Sequence, residues 1–263
     1  VFLPVNDLNI AGMTMSVYNL ISQYILIIGS IVALVFLAVA GNEKRAAAGL
    51  TRQNWKSAVL IVLAFVGIYI VRTVVSVAVQ GVSDGSGMQY VKEWAAMFKN
   101  PMMWLNIAAL PINYFFVFIA FFGEEYGWRY YLQPVLQKRF GLRAGVIILG
   151  VVWGLWHIPD DLFYYTQTSG IQMIFAQQIT CISLGIFFAY AYMKTQNIWV
   201  PVCLHYLNNN LIPIISGTFS ADVLENQTVS WKDLPVALVL NGLCFGFFLL
   251  ADVFKKKEVQ EEE

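Results

Sequence analysis

Charge is scarce in this sequence. Asp, Glu, Lys and Arg together make up 12% of its 263 residues, against about 25% in an ordinary soluble domain. A soluble protein of this length must cover a large surface with polar side chains, and too few are present. Basic and acidic residues balance at 16 each and form no long basic stripe apart from Lys255, Lys256 and Lys257, which excludes a nucleic-acid binder. The apolar composition excludes a disordered chain and a collagen-like one. Cysteine is also rare. Cys181, Cys203 and Cys244 sit inside apolar runs without metal-ligand or disulfide spacing and read as small packing residues. Residues 1–15 carry no positive charge and no A-x-A site, so no cleavable signal peptide is expected. What the sequence does have is apolar: 59% hydrophobic residues and a mean hydropathy of +0.64. That combination specifies a polytopic membrane protein.

Apolar runs of about 20 residues read as spans. They fall at 17–40, 58–79, 115–136, 143–157, 171–193, 198–215 and 236–254. The expected architecture is therefore an all-α, polytopic transmembrane helical bundle of about seven spans, eight if the segment 90–110 crosses rather than lies at the interface. The whole chain, 1–263, reads as one integral membrane domain, with a charged cytoplasmic tail at 255–263. The loops at 41–57 and 138–143, Lys194 and Lys255 to Lys257 hold 11 of the 16 Lys and Arg residues. The opposite loops hold Lys92, Lys99 and Lys232. By the positive-inside rule the N-terminus is outside and the C-terminus cytoplasmic. No internal repeat is visible, which argues against inverted-repeat transporters. Asn226-Gln227-Thr228 fits an N-glycosylation sequon, read here as a chance match.

A charge within the hydrocarbon costs several kcal/mol unless paired or hydrated, so the polar residues inside the spans demand explanation. They are Arg72, Glu124, Glu125, Arg129, His157, His205 and Asn208 to Asn210. Both of the chain's two histidines are among them. On a helix, Glu125 and Arg129 stand i, i+4 with the acid first, the favoured order for an ion pair. Glu124 points about 100° away, which leaves one carboxylate neutralised and one free for chemistry. His157 follows Trp153 by one turn. His205 and Asn209 share a face, whereas Asn208 and Asn210 point elsewhere and are expected to cap or polarise a helix break. Arg72 is expected either to snorkel or to pair with a carboxylate.

Depth brings these groups together. Glu124 and His157 each lie 16–17 residues from a turn expected near Phe140 and Gly141, which puts them about 25 Å from it in an antiparallel hairpin. His205 and Asn209 lie 9 and 13 residues beyond a turn at Gln196. An acid, two histidines and an amide from distant parts of the chain then occupy one band of the membrane.

Glu-Glu-x-x-x-Arg, aromatic-x-x-x-His and His-x-x-x-Asn, in that order on separate spans, resemble the CPBP family of CAAX proteases and bacteriocin-processing intramembrane proteases. The resemblance covers about 115–215, and departs from the common pattern only in having Trp153 where Phe is usual. It implies an intramembrane endopeptidase that hydrolyses a peptide bond of a membrane-embedded or lipidated peptide substrate, in a bacterial plasma membrane. Glu124, helped by His157, would activate a water; His205 and Asn209 would stabilise the oxyanion; Glu125 and Arg129 would hold the geometry. Desolvation suits a glutamate to base chemistry near neutral pH. The favoured reading requires no cofactor. The alternative is zinc on Glu124, His157 and His205, a set with an open fourth position, although the H-E-x-x-H helix of soluble zinc proteases is absent. A second functional reading is a non-catalytic scaffold or immunity protein that binds a partner in the same cavity.

Overall fold

The computed structural model describes residues 8–10, 13–15, 17–43, 48–50, 53–217 and 226–255. The charged tail beyond Lys255, together with Lys44, Arg45 and Arg52 of the first basic loop, lies outside them. The fold is an all-α bundle preceded by a short antiparallel hairpin, β1 (Leu8–Ile10) and β2 (Met13–Met15). Its helices are α1 (Val17–Val39), α2 (Trp55–Ser83), α3 (Gln89–Met97), α4 (Pro101–Glu125), α5 (Gln133–Phe140), α6 (Leu142–Trp156), α7 (Ile158–Phe163), α8 (Gly170–Thr195), α9 (Trp199–Ser216) and α10 (Asp233–Cys244).

Four stretches among the described residues are long and apolar enough to cross a bilayer: Trp55–Ser83, Pro101–Phe140, Leu142–Phe163 and Gly170–Thr195. Ser30–Val39 and Asp233–Cys244 are shorter apolar helices. The expected span at 115–136 is part of the longer rod Pro101–Phe140, because Asn100 caps the helix, accepting from the Met102 amide at 3.0 Å, and Pro101 takes the first turn where no donor is needed. The segment 90–110 therefore divides into the short helix α3 and the first turns of α4. The expected last span, 236–254, is not one helix either. It stops at Cys244 and continues as two 3₁₀ turns, Gly246–Leu250 and Asp252–Phe254. Phe245, fully buried against Phe65, Tyr69 and Phe187, takes the turning position, and Gly246 after it is a poor helix former.

The bundle is arranged as lipid requires. Phe115 and Phe116 on α4 are 71% and 72% exposed, while the most occluded side chains gather on α8, where Cys181, Leu184, Phe187, Phe188 and Ala191 are buried. α6 lies along α8, α9 and α1 along α4, and α10 along α8. The α6–α8 approach depends on small residues. Gly150 faces Gly185, and a Cβ on Gly150 would stand 2.6 Å from the Ile182 Cα. Backbones pack this closely in membranes only where side chains are absent. Gly150→Leu is expected to cost about 1–3 kcal/mol of overpacking, seen as a lower melting temperature in detergent. An unchanged melt would show that the two helices part freely.

Hydrogen bonds tie the connecting segments together in two groups. In one, the Asn54 and Asn197 side-chain amides donate to the Thr195 and Gln53 carbonyls, joining the first basic loop to the turn after Lys194. In the other, the Trp94 indole donates to the Ile215 carbonyl and the Gln227 amide to the Tyr165 carbonyl.

Candidate active site

Glu125 is the last residue of α4. The backbone then widens into a π turn, Tyr126–Leu132, in which the Gln133 amide reaches back to the Trp128 carbonyl. Pro134 explains the irregularity, since it has no amide to donate to Tyr130 and its ring would crowd that carbonyl in a regular helix. The expected Glu125–Arg129 pair survives the widening. Glu125 Oε2 lies 3.1 Å from Arg129 Nε, with both side chains fully buried. Arg129 also places its guanidinium over the rings of Trp153 and Phe188, 5.2 and 5.4 Å from their centroids, so aromatic faces on α6 and α8 share its charge.

The second oxygen of Glu125 is engaged as well. Oε1 lies 2.9 Å from His205 Nδ1 on α9. Neither contact is well aligned as a hydrogen bond, and both are primarily ionic. A carboxylate repels an imidazole lone pair, so His205 carries a proton on Nδ1 and presents Nε2 on its other side. Three rings enclose this imidazole: Phe121 at 5.2 Å, Trp153 at 5.4 Å and Phe188 at 6.2 Å.

His157 lies at the break between α6 and α7. Pro159 ends the i→i−4 ladder there. Its Nδ1 is 2.9 Å from the Trp153 carbonyl. A carbonyl only accepts, so Nδ1 carries a proton and donates, and Nε2 is the nitrogen left for chemistry. Cys181 Sγ approaches the same Nδ1 at 3.9 Å. The Trp153 ring meets His157 edge-on at 5.9 Å, as it meets His205, so one indole separates the two imidazoles.

Glu124 differs from its neighbour. It is partly exposed, forms no salt bridge among the described residues, and lies within electrostatic range of His205, Arg129 and Cys181. Asn209 is exposed on α9 and accepts from the Asn208 side-chain amide at 2.9 Å. The expected helix break at Asn208 and Asn210 is absent, since α9 runs unbroken to Ser216. Asn208 is instead held by the Tyr69 hydroxyl at 2.6 Å, and the Asn210 side chain donates to the Tyr206 carbonyl one turn back. Arg72 forms no salt bridge among the described residues; its Nε donates to Asn241 Oδ1 at 2.9 Å.

Two features escaped sequence reading. Tyr69 belongs to a span with no motif. Asp161, one turn after His157, is fully buried with both oxygens unpartnered, yet in the sequence it reads as a loop residue beyond the fourth span. Among the described residues no group of three His, Cys, Asp or Glu side chains is arranged to hold a metal ion. Glu124, His157 and His205 thus do not fit a zinc site as they stand.

Comparison with known proteins bears on this region. Residues 105–211 match the family model of the type II CAAX prenyl endopeptidase Rce1-like proteins. That segment runs from α4 through α9 and contains Glu124, Glu125, Arg129, His157, His205 and Asn209. A protein of Methanococcus maripaludis named CAAX prenyl protease 2 is 27% identical over 125 residues, 44% of this chain and 45% of the relative. The alignment thus spans about half the length of that relative. No solved structure matches.

Proposed function

We infer that this protein, whose residues 105–211 match the family model of the Rce1-like type II CAAX prenyl endopeptidases, is an intramembrane endopeptidase acting on a lipidated peptide. The observation that carries the mechanism is the division of labour between adjacent carboxylates. Both oxygens of Glu125 are occupied, by Arg129 and His205. Glu124, which forms no salt bridge among the described residues and is partly exposed, is the carboxylate available to take a proton.

The steps follow from the groups. Glu124, assisted by Nε2 of His157, removes a proton from a water molecule, and the hydroxide attacks the scissile carbonyl carbon. His205, as the imidazolium with its Nδ1–H toward Glu125, donates its Nε2–H, and the Asn209 amide donates an N–H, to the oxygen as its charge develops; the Phe121, Trp153 and Phe188 rings keep competing water from His205. Collapse of the tetrahedral intermediate returns the proton from Glu124 to the departing amine. Glu125 and Arg129 touch no substrate in this scheme; Arg129 holds Glu125, and Glu125 holds the Nδ1 proton of His205. The excess of basic residues in the loops joined through Asn54 and Asn197 supports a cytoplasmic location for them.

The test is cleavage of a farnesylated peptide ending in a CAAX sequence by the purified chain in lipid vesicles, with product termini read by mass spectrometry. Release of the last three residues, insensitive to 1,10-phenanthroline, is expected. Tight binding of the peptide with no turnover would overturn the protease reading in favour of a scaffold. Loss of cleavage on chelation, restored by zinc, would overturn the metal-independent mechanism.

A further inference from the structure

Asn209 ends a chain of polar side chains that begins outside the matched region. On α2, Tyr69 is 5% exposed, wedged against Phe65 and Phe245 with ring centroids 5.0 Å away in each case. Its hydroxyl is 2.6 Å from Asn208 Oδ1, and Asn208 Nδ2 is 2.9 Å from Asn209 Oδ1. One turn beyond Tyr69, Arg72 lies over the Tyr69 ring at 5.7 Å and is tied to Asn241 of α10, itself buried.

The direction of this chain is fixed by what each atom is able to do. A carboxamide oxygen only accepts and its nitrogen only donates. With the Tyr69 O–H donating to Asn208 Oδ1, Asn208 must offer Nδ2 to its neighbour. Asn209 must then accept through Oδ1, which leaves both N–H bonds of its Nδ2 unspent. Reversing every bond would leave the buried Tyr69 proton without an acceptor among the described residues, because the nearby Arg72 guanidinium has none to give. It would also turn the Asn209 oxygen toward the reacting carbonyl, where it would repel the developing negative charge.

We propose that Tyr69, acting through Asn208, is a positioning residue that locks the Asn209 carboxamide with its N–H groups toward the oxyanion. This rests on the protease reading above. It assigns a role in the reaction to a helix that carries no motif, and it gives Asn208 a function beside Asn209.

The experiment is a double-mutant cycle on cleavage of the farnesylated peptide. Asn209→Ala is expected to lower kcat about 100-fold or more, the effect of removing one oxyanion donor. Tyr69→Phe, which deletes only the hydroxyl, is expected to lower kcat about tenfold with KM unchanged and the melting temperature retained, and Asn208→Ala to do the same. Adding Tyr69→Phe to Asn209→Ala should cost nothing more, because the relay then has nothing to orient. Additive losses in the double variant, or full activity in Tyr69→Phe beside a slow Asn209→Ala, would overturn the relay while leaving the protease reading intact. Full activity in Asn209→Ala would overturn the relay by removing the oxyanion role of Asn209, with proteolysis still shown, whereas no cleavage by the wild type would overturn the protease reading itself.

Discussion

Glu124→Gln is expected to reduce cleavage by about 10²- to 10⁴-fold, the usual contribution of a general base, and to leave folding untouched. Glutamine preserves the length, planarity and hydrogen-bonding reach of glutamate but cannot accept a proton from water. The substitution breaks no ion pair, because Glu124 forms no salt bridge among the described residues and is only partly buried. Peptide affinity should therefore stay near the wild-type value while kcat collapses, the signature of a group that acts in the transition state. The adjacent Glu125→Gln is the informative contrast. It removes the charge that faces both Arg129 and His205, so it should lower the melting temperature as well as the rate. Cleavage by Glu124→Gln within threefold of wild type would show that the water is activated elsewhere. A melting temperature depressed as far as that of Glu125→Gln would show that Glu124 is structural.

The same pair of residues shows what a sequence makes legible. The Glu125–Arg129 contact was readable because it is local: two side chains four residues apart meet whatever surrounds the helix. The π turn within it did not prevent the contact. The third member, His205, lies 80 positions away, and no spacing rule reports which face of α9 will meet α4. Sequence arithmetic supplied its depth but not its partner. Asn208 was misread for the same reason. Helical periodicity correctly turned it away from His205, but what it turned toward, Tyr69, is delivered by the packing of α2 on α9. Asp161 gives no signal in the sequence because the expected span ends at His157, four residues before it. Pro159 bends the chain into α7, which packs against α8 and buries the carboxylate. That the chain folds as apolar helices was legible from hydrophobic length, although only four stretches among the described residues are long and apolar enough to cross a bilayer. Their ends were legible where a stop signal such as Gly141 or the left-handed Gln196 was present. They were misplaced where a start signal, Asn100-Pro101, lay inside a run that already looked apolar.

Arg129→Met is expected to destabilise the protein by about 3–5 kcal/mol, the cost of breaking a buried pair and leaving one charge behind. For a chain of this size that is a fall on the order of 10 °C in melting temperature. Methionine matches much of the arginine volume, so packing against Trp153 and Phe188 is largely kept and the loss is electrostatic. Glu125, fully buried, would keep only His205 as a counter-charge. Arg129→Lys should recover only part of the loss. An ammonium offers one compact charge to Glu125 but no planar group to lie between the Trp153 and Phe188 rings, where the guanidinium now sits at 5.2 and 5.4 Å. The decisive variant is the double substitution Glu125→Gln with Arg129→Met. If the penalty comes from a stranded charge, removing that charge must restore melting toward wild type although a second native contact has been lost. If the penalty comes from lost packing, the double variant must be the less stable of the two. Cleavage need not return with stability, because His205 would still lack the carboxylate that holds its Nδ1 proton, and a folded, inactive double variant would separate the structural role of the pair from its part in aligning the oxyanion donor.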